Sequence, residues 1–173
     1  LTITFLFVFI FSNSMIAQLV VGENASVTVA ESASITVAGL EINPNSDMVI
    51  SGPNSVDRSL TSVSIDGTES MARHYTVSDN LSTYTGSIVY NYTDEDMNGI
   101  SHFAALQVLD SPDGMWMNYA DEDDADYSVT HSFDNAVEIH SVTASDATLS
   151  VETMDGEMTI SIFPNPTSNT INV

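Results

Sequence analysis

Carboxylates are the side chains with the greatest chemical capacity in this sequence. Asp94, Glu95 and Asp96 share one short stretch, and Asp121, Glu122, Asp123, Asp124 and Asp126 share another. Ca²⁺ takes about six to eight oxygens from flexible loops, so Asp94, Asp96, Asp121, Asp123, Asp124 and Asp126 are the candidate ligands and Ca²⁺ the one candidate cofactor. Neither stretch has the Asp-x-Asp-x-Asp-Gly spacing of an EF-hand loop, and a solvated acidic loop is the competing account. Asp94 and Asp96 have a second use, capping the turn that closes at Gly99. His74, His102, His131 and His140 are scattered, with no pair at metal-ligand spacing on one element. There is no Gly-x-Ser-x-Gly elbow and no cysteine, which removes the thiolate sites and the best-known serine arrangement. Tyr84, Tyr90, Tyr92 and Trp116 could form a sugar-stacking platform, but alternate-residue spacing assigns the tyrosines to the buried face of a sheet. The chain is read as non-catalytic.

The elements that must position these residues centre on Thr83 to Tyr119. Tyr84, Gly86, Ile88, Tyr90 and Tyr92 alternate with the period of a strand that has one buried face. Asn98-Gly99 and Asp113-Gly114 are turn dipeptides, and Trp116, the only Trp, is expected to fill much of the core. Strands are also expected at Met71 to Val77, before a loop at Ser78-Asp-Asn80, and at Tyr127 to Phe133 and Val137 to Thr143, separated at Asp134-Asn135. No segment shows a helical apolar period of useful length. The fold class is all-β, an antiparallel β-sandwich preceded by short repeated strands.

Charge narrows the partners. The 173 residues include 24 acidic side chains, two arginines (Arg58 and Arg73) and no lysine, for a net charge of −22. Nucleic acid and anionic membrane surfaces both require Lys and Arg, so neither is an expected partner. A hydrophobic content of 43% is enough to build a core.

Ile3 to Phe11 is apolar but shorter than the roughly 20 residues needed to span a bilayer. It reads as the apolar region of a secretory signal peptide covering residues 1–18, with cleavage near Ala17 and Gln18, and not as an integral membrane segment. Residues 19–66 hold Ala25-Ser-Val-Thr-Val29, its near-copy Ala33-Ser-Ile-Thr-Val37, and a weaker third version at Asp47 to Ile50. These could stack as a small β-repeat or meander. Ser51-Gly-Pro-Asn-Ser55 reads as a turn and Leu60 to Ile65 as a strand. The β-sandwich module is placed at 67–143 and a linker at 144–158.

Arg73-His-Tyr75, Tyr84-Thr-Gly86, the loop from Tyr92 to Gly99, Leu106, Trp116 and Val137-Glu-Ile139 together resemble a β-sandwich module common in secreted proteins of Bacteroidota. This chain has Asp-Glu-Asp-Met where that module tends to have Asp-x-Glu-Leu. Residues 159–173 contain Phe163, Pro164, Asn165 and Pro166 followed by Thr-Ser-Asn-Thr-Ile-Asn-Val. The two prolines fix φ and withhold ladder donors, which makes a rigid extended turn before a strand. The motif resembles the opening of the type A C-terminal sorting domain of type IX secretion, itself a β-sandwich, here cut short. That resemblance implies the type IX machinery as a partner and passage across the outer membrane. It also implies a secreted or surface-attached product, with surface lipopolysaccharide or extracellular glycans as further partners. The expected function is that of an exported structural or adhesive module. The alternative is an accessory or carbohydrate-binding module of a secreted hydrolase.

Overall fold

The computed structural model describes residues 18–101, 104–119 and 127–146. They form an all-β antiparallel fold of sandwich type with no α-helix among them. Twelve strands follow one another: β1 (Gln18–Val21), β2 (Ser26–Val29), β3 (Ile35–Val37), β4 (Leu40–Pro44), β5 (Met48–Ser51), β6 (Asn54–Ser59), β7 (Ser64–Ile65), β8 (Thr68–Glu69), β9 (His74–Asn91), β10 (Ala104–Leu109), β11 (Trp116–Tyr119) and β12 (Ser128–Asp146). No helix of the described residues is long and apolar enough to cross a membrane.

Two long strands build both layers. The first part of β9 lies between β6 and the end of β12, pairing Val77 with Val56 and Tyr75 with both Arg58 and Val142. Its last part lies between β4 and the start of β12, pairing Tyr90 with both Leu40 and Val129. One layer therefore runs β1-β6-β9-β12-β10-β11, and β3 and β4 extend the other from the far end of β9. Between the two parts the β9–β12 register shifts three times, between Phe133 and Val137, Val137 and Ile139, and Ile139 and Ser141. Such bulges bend a strand and increase its twist, which lets one strand pass from layer to layer.

The bend brings the two ends of β9 face to face across the core. Tyr75 and Tyr90 meet edge to face with ring centroids 5.9 Å apart. Around them Ile42, Ile88, Leu106, Val56 and Ile139 are almost fully buried. Each such aliphatic side chain contributes about 1.5–3 kcal/mol relative to exposure. The alternation expected at Tyr84, Ile88, Tyr90 and Tyr92 is present, with all four buried. Gly86 sits where any Cβ would collide with the carbonyl of Asn43, and its φ is +131°. Only glycine lets β4 lie that close to β9 at this point.

Several expectations are corrected. Ser78-Asp-Asn80 and Asp134-Asn135 are not loops between strands but irregular stretches inside β9 and β12. Polar, turn-forming residues suit a bulge as well as a turn, and the long pairing partner keeps the strand going. The boundary at residue 66 falls within one sheet, because β1, β4 and β6 are hydrogen-bonded into the layers formed by β9. The near-repeats pair only in part: Ser26–Val29 lies antiparallel to the third version on β5, with Val27 opposite Ile50 and Val29 opposite Met48, whereas Ile35–Val37 pairs with β4. Strand β6 starts within the stretch expected to be a turn, and of Leu60 to Ile65 only Ser64–Ile65 is strand. Trp116 is half-buried on β11, opposite Leu109, and the core it was expected to fill is filled by tyrosines. The Asp113-Gly114 turn is present, closed by Gly114 N–H donating to Ser111 O at 3.0 Å, with Pro112 at the position that favours its fixed φ. Residues 144–146, placed in the linker, complete β12, while 147–158 lie outside the described residues.

Candidate functional site

Two polar centres stand out, one where the two ends of β9 meet and one at its bend. At the open end, Arg73 precedes β9 and points its guanidinium across to the other layer. Its Nη2 lies 2.7 Å from Asp96 Oδ2 and its Nε donates to Asp96 Oδ1 at 3.2 Å, a two-pronged pair with both side chains almost wholly buried. Its Nη1 donates to Asn91 O at 2.9 Å. The backbone carbonyl of Arg73 accepts from Tyr90 Oη at 2.8 Å and from Thr143 Oγ1 at 2.7 Å. Asp96 in turn caps the single 3-10 turn Asp94–Asp96, with Oδ2 accepting from Thr93 N and Thr93 Oγ1, both at 2.8 Å. Gly39 closes the far side, where an added Cβ would lie 3.0 Å from Arg73 Nη1 and 3.1 Å from Tyr75 Oη. Every polar group of this centre answers another, so it serves as a clasp between the layers.

Burial leaves its mark on the tyrosines. The phenols of Tyr84 and Tyr90 are held far above their ordinary range by loss of hydration. Tyr75 is raised for the same reason, against the opposing pull of Arg73, and Tyr119 is raised by burial with help from Asp110. All four phenols are neutral at neutral pH, and those of Tyr75, Tyr84 and Tyr90 donate to the backbone carbonyls of Ala38, Ser87 and Arg73.

The expected site residues divide accordingly. Asp96 commits both carboxylate oxygens to Arg73 and Thr93. Asp94 Oδ1 accepts from Tyr127 Oη at 2.9 Å. Asp121, Asp123, Asp124 and Asp126 lie outside the described residues, as do Ala17 and the motif Phe163, Pro164, Asn165 and Pro166. Among the described residues no group of three or more His, Asp or Glu comes together around a metal position. Gln18 opens β1, and its side-chain amide donates to the Asp57 carboxylate. His74 Nδ1 lies 2.9 Å from Thr61 O, and His131 packs against Tyr119 and Phe133. His102 is outside the described residues. With Tyr84, Tyr90 and Tyr92 buried, these tyrosines form no sugar platform.

The second centre lies at the bend itself, and sequence reasoning did not single it out. A groove of about 380 Å³ opens between the segment Pro44–Ser51 and the irregular stretch of β9 around Asp79–Thr85. Asn54 fixes its base. Its Oδ1 accepts from Ser55 N at 2.8 Å and Asp79 N at 3.1 Å, and its Nδ2 donates to Asp79 O at 2.5 Å. Thr83, on the wall, has φ of +57°, a left-handed conformation that is a genuine outlier for a β-branched residue. Asp47 Oδ1 accepts from Glu31 N at 2.9 Å, which holds that side of the groove to the β2–β3 connection. Hydroxyl, amide and carboxylate groups thus converge over an apolar floor that includes Met48 and Leu81, an arrangement suited to holding a small polar ligand. No His, Lys, Arg or Cys is among its lining residues. The only hint of it in sequence is the density of Ser, Thr and Asp from Ser78 to Thr85, which reads equally well as a loop.

No protein family matches the chain, and neither does any curated protein or any solved structure.

Proposed function

We propose that this chain is an exported, non-catalytic β-sandwich protein with a structural or adhesive role, delivered to the cell surface or the surroundings by type IX secretion. The observation that carries this reading is the stretch Phe163-Pro-Asn-Pro166 followed by Thr170-Ile-Asn-Val173, in a chain whose other end holds the apolar run Ile3 to Phe11. The first resembles an outer-membrane sorting signal and the second an inner-membrane one. The fold supports it. Both polar centres are built for holding, one by closing the layers and the other by presenting hydroxyls, amides and carboxylates without a nucleophile–base pair. Net charge supports it as well, because a surface so rich in carboxylates stays solvated outside the cell and avoids anionic polymers.

The test is a reporter fused between the sandwich and a complete sorting domain, expressed in a bacterium that has the type IX machinery. The reporter is expected outside the outer membrane, and Pro164→Ala with Pro166→Ala is expected to hold it in the periplasm. A reporter that remains within the cell envelope with the motif intact overturns the reading.

A further inference from the structure

We propose that the groove at the bend of β9 is a binding site for a neutral, hydroxyl-rich ligand, a short stretch of uncharged glycan. The assignment rests on the reading of the protein as exported, since that is where such polymers are met.

Four observations lead to it. The groove has a volume of about 380 Å³, within the range of sites that hold one small ligand. Its walls offer the Asp79 carboxylate, the Asp47 oxygen not engaged by Glu31 N and the hydroxyl of Ser82, with the Thr85 hydroxyl already donating to Asn45, while Met48 and Leu81 give it an apolar floor. Acceptors of this kind pair with neighbouring hydroxyls, and the apolar floor suits the C–H face of a sugar ring. The electrostatics exclude an anion. No cationic side chain lines the groove, and the whole chain carries −22, so a phosphorylated or carboxylated ligand would be repelled. Finally, Thr83 is kept in a left-handed conformation at the wall. Strain of this kind costs about 1–3 kcal/mol and persists where surrounding structure imposes it, often at ligand sites. A glycine there would remove the strain and would also remove a hydroxyl and a methyl from the groove.

Because Tyr84, the aromatic residue of the lining, is buried, binding is expected to be weak for a single chain and to gain from several copies engaging one polymer. The experiment is titration of the full chain with neutral cello-, malto- and xylo-oligosaccharides, followed by calorimetry and by amide-shift mapping. At least one of the three should bind saturably, with shifts confined to Asp47–Ser51 and Asp79–Thr85. Asp79→Ala should weaken that binding at least tenfold. Thr83→Gly should raise the melting temperature and weaken binding together, a combination that loss of folding cannot produce. The proposal is overturned if none of the three sugars binds, if Ca²⁺ alone binds saturably at the groove, or if the shifts map elsewhere. Because the purified chain is titrated, failure here leaves the export reading untouched, and a failed export assay leaves the binding result intact.

Discussion

The clasp joins the two ends of β9 and the groove sits at its bend, and they solve the problem of polar groups in opposite ways. At the clasp, Arg73, Asp96, Tyr90, Thr143 and Thr93 pair with one another through hydrogen bonds and an ion pair. At the bend, Asp47, Asp79 and Ser82 line an open hollow, and a threonine is held where glycine would be at ease. The first arrangement favours one geometry over all others. The second keeps hydrogen-bonding capacity available to something else. A buried polar centre is evidence of folding, and an open, strained one is the better place to look for recognition.

That contrast can be broken most forcefully at the clasp. Asp96→Ala leaves the Arg73 guanidinium buried with no carboxylate, and should cost about 3–5 kcal/mol, a large fraction of the stability of an ordinary domain. Chemical denaturation measures it, and an unchanged midpoint would mean that Arg73 finds water at no cost.

Alkali should act next most strongly, and also from the closed side. The folded pKa values of Tyr75, Tyr84 and Tyr90 lie above the ordinary value of 10.0. A raised folded pKa means that stability is complete below pH 10 and falls above it, because the unfolded chain gives up these protons first. Each fully buried phenol should contribute a slope of up to about 1.4 kcal/mol per pH unit. Melting temperature followed against pH, together with tyrosinate absorbance, should show ionisation coinciding with unfolding. Ionisation of all tyrosines near pH 10 in the folded protein would contradict the burial.

The smallest of the three effects belongs to Trp116. It is half-buried on β11, so Trp116→Ala should cost about 1–2 kcal/mol and not the larger loss typical of a core tryptophan. A loss as large as that of Asp96→Ala would place Trp116 among the residues on which the layers depend.

The difference between these residues also shows what could be read from sequence. Strand alternation from Tyr84 to Tyr92 was legible, because a period of two is a local property, and so was the Ser111–Gly114 turn, because its residues carry the turn chemistry themselves. The length of β9 and β12 was not. Each contains polar residues that also spell a turn, and only the partner strand decides between bulge and break. Asp96 looked like one of a run of carboxylates, since Arg73 is 23 residues away in the chain. Trp116 was overvalued because size alone does not say which side of an edge strand a ring occupies. The groove was invisible for the same reason as the clasp: Asn54 and Asp79, which fix its base, meet across 25 residues of chain.

The passage of β9 and β12 through both layers bears on how the protein comes apart. In a sandwich whose sheets are made of separate strands, one sheet can fray while the other holds. Here a break in either layer interrupts a strand that the other layer is using, and the Arg73–Asp96 pair joins the two ends of the same strand. Partial opening therefore has few places to stop, and the described residues should lose their structure in a single all-or-none event. For the export route proposed above, such a fold would leave few intermediates between the unfolded chain in transit and the folded chain outside the cell.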